Sequence, residues 1–293
     1  MAPFGHLLTA MITPFTSSGE VDYEKTWRLA RFLVDNGSDG LVVTGTTGES
    51  PTLSNDEKVA IYRTVVEAVG DKAHVVAGTG TYDTAESVEL TRRAAEVGCT
   101  GVMAVTPYYS RPPQQGLIEH FTAIADASDL PVLLYNIPGR TGRRIEIDTL
   151  AGLAEHPGIV AVKDAVGELT FTTNTCLAVG EELAVYSGDD INTLPMMAVG
   201  AVGIVSVAAH LAGKQIKAMV EAILKGDLIT ARSFHLALAP LAGALFLEPN
   251  PMPVKAAMNA LWEPVGNPRS PLVPAAEQTI QRVKEALGEL QRL

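Results

Sequence analysis

Eight short, nearly unbroken apolar runs constrain this chain more than any other feature. They are LLTAMITP (7–14), GLVVTG (40–45), HVVAGTG (74–80), GVMAVTP (101–107), PVLLYNIP (131–138), IVAVKDA (159–165), LAVYSGD (183–189) and GIVSVAA (203–209). Strands that lack polar alternation are covered on both faces, which is the condition of a parallel sheet flanked by helices. The connectors read as those helices. Ser54 and Glu57 form a capping box before Val59, Tyr62, Val66 and Val69, and Gly70 stops the run. Asp83 with Glu86 repeats the cap and Gly98 the stop; Trp27, Ala30 and Val34 form the stripe of the first helix, ending at Asn36–Gly37.

Eight strand–helix units match the count of a closed barrel, so the expected fold is α/β, a (β/α)8 TIM barrel over residues 1–228. A doubly wound open sheet is the alternative. After residue 228 the strand signals cease. ITARSFHLALAPLAGALF, PVKAAMNALW and AAEQTIQRVKEALGELQRL read as helices between Pro-rich turns, a C-terminal α-helical domain over 229–293.

Composition excludes several function classes. With 22 basic against 33 acidic residues, the net charge of −11 opposes nucleic-acid binding. Two isolated cysteines, Cys99 and Cys176, give no disulfide framework or zinc ribbon and fit a reducing compartment, so a cytoplasmic protein is expected. The N-terminus lacks the cationic start and apolar core of a signal peptide. Residues 191–213 carry no charge and are long enough to span a bilayer, but Pro195, Gly200 and Gly203 divide them. A short helix feeding a buried strand fits that stretch better than a membrane span. The six histidines form no HxH or HExxH pattern, and neither a P-loop, a GxGxxG fingerprint nor a GxSxG elbow occurs, so no metal or nucleotide cofactor is expected.

Barrel active sites lie at the C-terminal ends of the strands, and polar residues gather there. Thr46 and Thr47 follow strand two, Tyr108 and Tyr109 strand four, Tyr135 and Asn136 end strand five, with Arg140 beyond; Lys163 is on strand six, and Ser187, Gly188 and Asp189 follow strand seven. GTTGES (45–50) is either a tight βα turn or an anion cradle of backbone N–H groups and hydroxyls. Lys163 stands in an apolar run. By alternation it shares a face with Ile159 and Ala161, while Val160 and Val162 face the other way. It is either a desolvated amine suited to Schiff-base chemistry or a rim lysine paired with Asp164. The other eight lysines read as polar or helical. Tyr135 is a proton carrier or a packed tyrosine, and Arg140 is a carboxylate grip or an exposed loop arginine.

Taken together, GTTGES, TPYYSRP, YNIPGRTG, VKDA, SGDD, GIVSV and EPNPMPVK, in this order and spacing, resemble the 4-hydroxy-tetrahydrodipicolinate (dihydrodipicolinate) synthase family of pyruvate-dependent class I aldolases. The likeness runs from about residue 5 to the C-terminus. It implies condensation of pyruvate with L-aspartate 4-semialdehyde in diaminopimelate and lysine biosynthesis, without cofactor or metal. By the same resemblance Lys163 forms the Schiff base, and Tyr135, Thr46 and Tyr109 relay protons, Tyr109 from a neighbouring subunit. Thr47 holds the pyruvate carboxylate and Arg140 that of the semialdehyde, while Gly188 and Ile204 line the site through their backbones. Most such enzymes are homotetramers, dimers of dimers. A sister aldolase acting on a 2-keto-3-deoxy sugar acid is the alternative, disfavoured by Arg140; a keto-acid binder without turnover is a third reading. Where lysine-inhibited members of the family carry histidines and an asparagine, this chain has Asn55, Lys58 and Tyr82 beside a retained Glu86, which implies weak lysine inhibition.

Overall fold

The computed structural model describes residues 2–290. Eight parallel strands close into one barrel in sequence order: β1 (Leu7–Ala10), β2 (Gly40–Val43), β3 (His74–Gly78), β4 (Gly101–Val105), β5 (Val132–Asn136), β6 (Ile159–Asp164), β7 (Ala184–Ser187) and β8 (Gly203–Ser206). Each falls inside an expected apolar run. Between them lie α1 (Tyr23–Asp35), α2 (Asn55–Val69), α3 (Thr84–Glu96), α4 (Gln114–Ala125), the short α5 (Pro138–Thr141), α6 (Ile147–Ala154), α7 (Leu169–Val179), α8 (Thr193–Ala198) and α9 (Ala209–Leu224). The uncharged stretch 191–213 is thus shared by α8, β8 and the start of α9. Among the described residues no helix is long and apolar enough to cross a membrane.

Local chemistry sets the helix ends. The side chain of Ser54 accepts from Glu57 N while Glu57 reaches back to Ser54 N, so two orphan amides are satisfied at once. Asp22 and Asp83 cap α1 and α3. The stripe of α1 differs from expectation. Thr26, Leu29, Ala30 and Leu33 are buried, whereas Trp27 is 38% exposed beside the Arg31 guanidinium. Two apolar stripes overlap on this helix, and the leucine pair takes the core because an amphipathic indole tolerates the flank.

Inside the barrel, Leu8, Val42, Val76, Met103, Leu133, Ala161 and Val205 pack as a core distinct from the larger one between strands and helices. Phe4 closes its N-terminal end. A Cβ on Gly101 would lie 2.5 Å from the Phe4 ring, so only glycine fits there. The expected alternation on β6 holds for Ala161, Val162 and Lys163 but not before them. Ile159 belongs to the outer core and Val160 packs inward, because the register with β5 shifts: Val132 pairs with Ile159, yet Leu133 pairs with Ala161. A one-residue bulge reverses the parity of everything before it.

Three helices follow the barrel, α10 (Leu228–Ala244), α11 (Met252–Leu261) and α12 (Glu277–Leu290); positions 291–293 of the expected last helix lie outside the described residues. Leu241, Val254, Met258 and Val283 join the same apolar cluster as the barrel helices, so this region is packed onto the barrel and has no core of its own.

Two buried histidines, His120 and His210, give the fold a pH signature, burial pushing the pKa of each down to about 4. His120 on α4 bonds Thr84 Oγ1 through Nδ1 at 2.8 Å, while its Nε2 is buried without a partner among the described residues. Burial pushes its pKa down to about 4, against a weaker upward pull from Asp83. Below the ordinary value of 6.5 the unfolded chain takes up the proton first, so stability contributed by neutral His120 is lost as pH falls from 6.5 towards 4. Calorimetry of His120→Gln is expected to show a smaller fall in Tm between pH 7 and about pH 5 than the parent protein shows. An equal fall in both would remove His120 from the account.

Candidate active site

Register brings the central pair together. Tyr135 of β5 lies directly opposite Lys163 of β6, which lies opposite Tyr186 of β7. Side chains opposite one another on adjacent strands share a face, about 4.8 Å apart, so all three enter the barrel. The Lys163 Nζ sits 4.1 Å from the centre of the Tyr135 ring, and the residue is only 5% exposed. Among the described residues it has no ion pair. Asp164, one position on, points the opposite way, accepting from Thr172 Oγ1 at 2.6 Å and Val166 N at 3.0 Å. Burial raises the pKa of that carboxyl. Pairing of Lys163 with Asp164 is therefore excluded by strand geometry.

Tyr135 also walls a cleft of about 210 Å³, together with Thr44, Thr46, Tyr108 and Arg140 among others. Thr46 and Thr47 occupy a turn bracketed by two residues with positive φ, Thr44 at 52° and Glu49 at 59°. Each such backbone costs roughly 1–3 kcal/mol and persists only where its surroundings hold it. Thr44 Oγ1 donates to the Tyr62 hydroxyl at 3.2 Å, which donates to the Gly78 carbonyl at 2.9 Å. A Cβ on Gly48 would lie 2.9 Å from Thr44, so the turn closes only with glycine there.

Arg140 is on α5, exposed at the cleft mouth, and among the described residues pairs with no carboxylate. Asn136 holds its loop by exchanging two bonds with the backbone of Ile145, both at 3.0 Å. Tyr108 stacks edge-on against Tyr82 at 5.2 Å, while Tyr109, at φ 67°, is 94% exposed and turned away from the cleft of its own chain. Thr47 is buried beside the cleft. Gly188 sits where a Cβ would strike Ala165 at 2.7 Å, and its N–H donates to Asp164 O. The side chain of Ile204 joins the outer core, leaving only its backbone turned to the barrel. The chain thus gathers Lys163, Tyr135, Thr46, Thr47 and Arg140 at one rim, and leaves Tyr109 outside it. Among the described residues no group of three or more His, Cys, Asp or Glu side chains could hold a metal ion.

Two lysines read from sequence as ordinary are buried. Lys58 on α2 is sunk near Glu86, and burial lowers its pKa against the pull of that carboxylate. Lys255 on α11 is 0% exposed, with Nζ 2.6 Å from Glu49 Oε1; burial lowers its pKa to about 8. The run MPVKAAM (252–258) carries the same signal as the Lys163 strand, a single cation among apolar residues. Asn250, whose Nδ2 donates to Thr47 Oγ1 at 2.9 Å, had no sequence signal beyond its place in EPNPMPVK.

Comparison with known proteins gives the family. The model of the dihydrodipicolinate synthetase family matches residues 3–290. The 4-hydroxy-tetrahydrodipicolinate synthase of Desulforamulus reducens is 50% identical, covering 99% of this chain and 98% of its own length. That of Moorella thermoacetica is 52% identical, covering 98% of each. The crystal structure of dihydrodipicolinate synthase from Cyanidioschyzon merolae with lysine bound superposes with a TM-score of 0.97, at 43% identity over 100% of both chains. A rim of this composition on a closed barrel, with a matching sequence from end to end, leaves one assignment: the chain belongs to the dihydrodipicolinate synthetase family.

Proposed function

We propose that this protein condenses pyruvate with L-aspartate 4-semialdehyde to form 4-hydroxy-tetrahydrodipicolinate through a Schiff base on Lys163, a step of diaminopimelate and lysine biosynthesis. The observation that carries the reading is the Lys163 amine, buried on the Tyr135 ring and, among the described residues, with no carboxylate to hold it. Nucleophilic addition needs such an amine, free of an ion pair and close to a proton carrier. Attack on the keto carbon and loss of water give an imine. Loss of a methyl proton then gives an enamine, whose carbon adds to the aldehyde. The substrate's own amine next attacks the imine carbon, closing the ring and returning Lys163.

In this reading Tyr135 and Thr46, which line one cleft, move protons, and Thr47 with the turn around it receives the pyruvate carboxylate. Arg140, at the mouth and among the described residues without a carboxylate partner, suits the second carboxylate, which a guanidinium binds through two parallel bonds. The sugar-acid alternative has nothing in its favour, since the full-length relatives above carry the synthase name.

Borohydride reduction in the presence of pyruvate should leave a stable adduct on Lys163, found by intact mass and peptide mapping. Tyr135→Phe should lower kcat by roughly 10²–10⁴-fold while the lysine remains in place. An adduct elsewhere, or none, would sink the mechanism.

We also read the protein as a homotetramer built from dimers and acting in the cytoplasm. Tyr109 is exposed and strained for no purpose within one chain, and a neighbouring subunit's cleft would give it one. The free thiols Cys99 and Cys176 suit a reducing compartment. Sedimentation at micromolar protein should give a tetramer, and Tyr109→Ala should cut kcat with little change in the fold. A fully active monomer would refute this arrangement.

Lysine should inhibit weakly. The buried Lys58 already answers Glu86, and Tyr82 fills its flank by stacking on Tyr108. A lysine ammonium would meet a like charge there. Titration of activity with L-lysine is expected to show half-inhibition only well above about 1 mM; inhibition below that level would count against the reading.

A further inference from the structure

The turn that carries Thr46 and Thr47 is held from outside the barrel. Glu49, at its end, is 2% exposed and has both carboxylate oxygens engaged. Lys255 Nζ donates to Oε1 at 2.6 Å, and the backbone N–H of Arg269 donates to Oε2 at 2.8 Å. Lys255 also lies 3.9 Å from the Phe15 ring centre and 3.4 Å from the Asn267 carbonyl. The Arg269 guanidinium covers the same ring at 4.5 Å and is fixed by Glu57 and by the Thr52 and Gly19 carbonyls. Lys255, Asn267 and Arg269 all come from residues 229–293, as does Asn250, which donates to Thr47 Oγ1.

A fully buried ion pair adds little stability over a well-packed apolar pair, because both ions lose their hydration. What it does supply is direction. It fixes a glutamate whose backbone is left-handed, and so fixes one end of a turn whose other end, Thr44, is left-handed too.

We propose that the buried Glu49–Lys255 ion pair is a positioning device for the pyruvate-binding turn, through which the helices after the barrel act on substrate binding. Neither residue is assigned a catalytic role: their polar atoms are spent on each other and on the backbone of Asn267 and Arg269. Their effect passes through Thr46 and Thr47, so the proposal rests on the reading that these two meet pyruvate.

The test compares Glu49→Gln, Lys255→Met and the double variant by pyruvate dependence of borohydride trapping, steady-state kinetics and Tm. Each single variant leaves one buried group unmatched and should lower Tm. The double variant removes both charges and should recover much of the lost Tm. Pyruvate binding should not recover with it. In all three, half-maximal trapping should need roughly tenfold more pyruvate or more, with KM for the semialdehyde changed far less. A double variant that regains both Tm and the parent pyruvate dependence overturns the proposal, leaving the pair a stability feature. Should the methionine variants fail to fold, Glu49→Gln, which keeps an oxygen and the volume, decides alone by the same pyruvate readout. If the parent protein itself traps no pyruvate, the Schiff-base reading fails, and the proposal with it. If the parent traps and Glu49→Gln traps identically, only the positioning role fails.

Discussion

Everything at the rim depends on the register between β5 and β6. Counted from Ile159, which packs outward, strict alternation would put Lys163 outward as well. The extra residue at Val160 shifts the parity, so that Ala161 and Lys163 point into the barrel and Asp164 points out to Thr172. One inserted residue thereby separates a cation from the carboxylate next to it in sequence and sets its amine against the Tyr135 ring.

The barrel then gives that amine its surroundings. Small Ala161 and Ala184 lie on the inner face below Lys163 and leave space for its stem, while Leu133 and Val205 pack beside them and Phe4 packs at the far end. There the loops divide the labour. Asn136 fixes the Arg140 loop by pairing with Ile145, and Tyr62 with Gly78 fixes the start of the Thr46–Thr47 turn. The end of that turn is tied to α11 by an ion pair spanning 206 positions of sequence. The helices after the barrel therefore bear on the site as well as on the outer core.

Legibility followed the range of the physics involved. Strand positions, the Ser54–Glu57 cap and the helices of residues 229–290 were readable because burial on both faces, capping and helical period are local signals. Lys163 was readable as an anomaly, a cation in an apolar run. Lys255 carried the same anomaly, disguised because a helical context usually lets a lysine reach solvent. The stripe of α1 was misplaced by one side chain, since Trp27 and Leu29 fit overlapping faces and only packing chooses between them.

By itself the sequence determined the eight strand–helix units, the helical C-terminal region, the polar residues at the strand ends and the two possible roles of Lys163, because each follows from patterns a few residues long; closure of the sheet came from the structure. That Lys163 is not paired with Asp164 belonged to tertiary structure. So did the exposure of Tyr109, the burial of Lys58, and the bond from Asn250 to Thr47. Each of these depends on which residues distant in sequence become neighbours, and on a bulge that exists only when β6 pairs with β5. Neither condition can be read from one strand, because a strand's parity is defined by its partner.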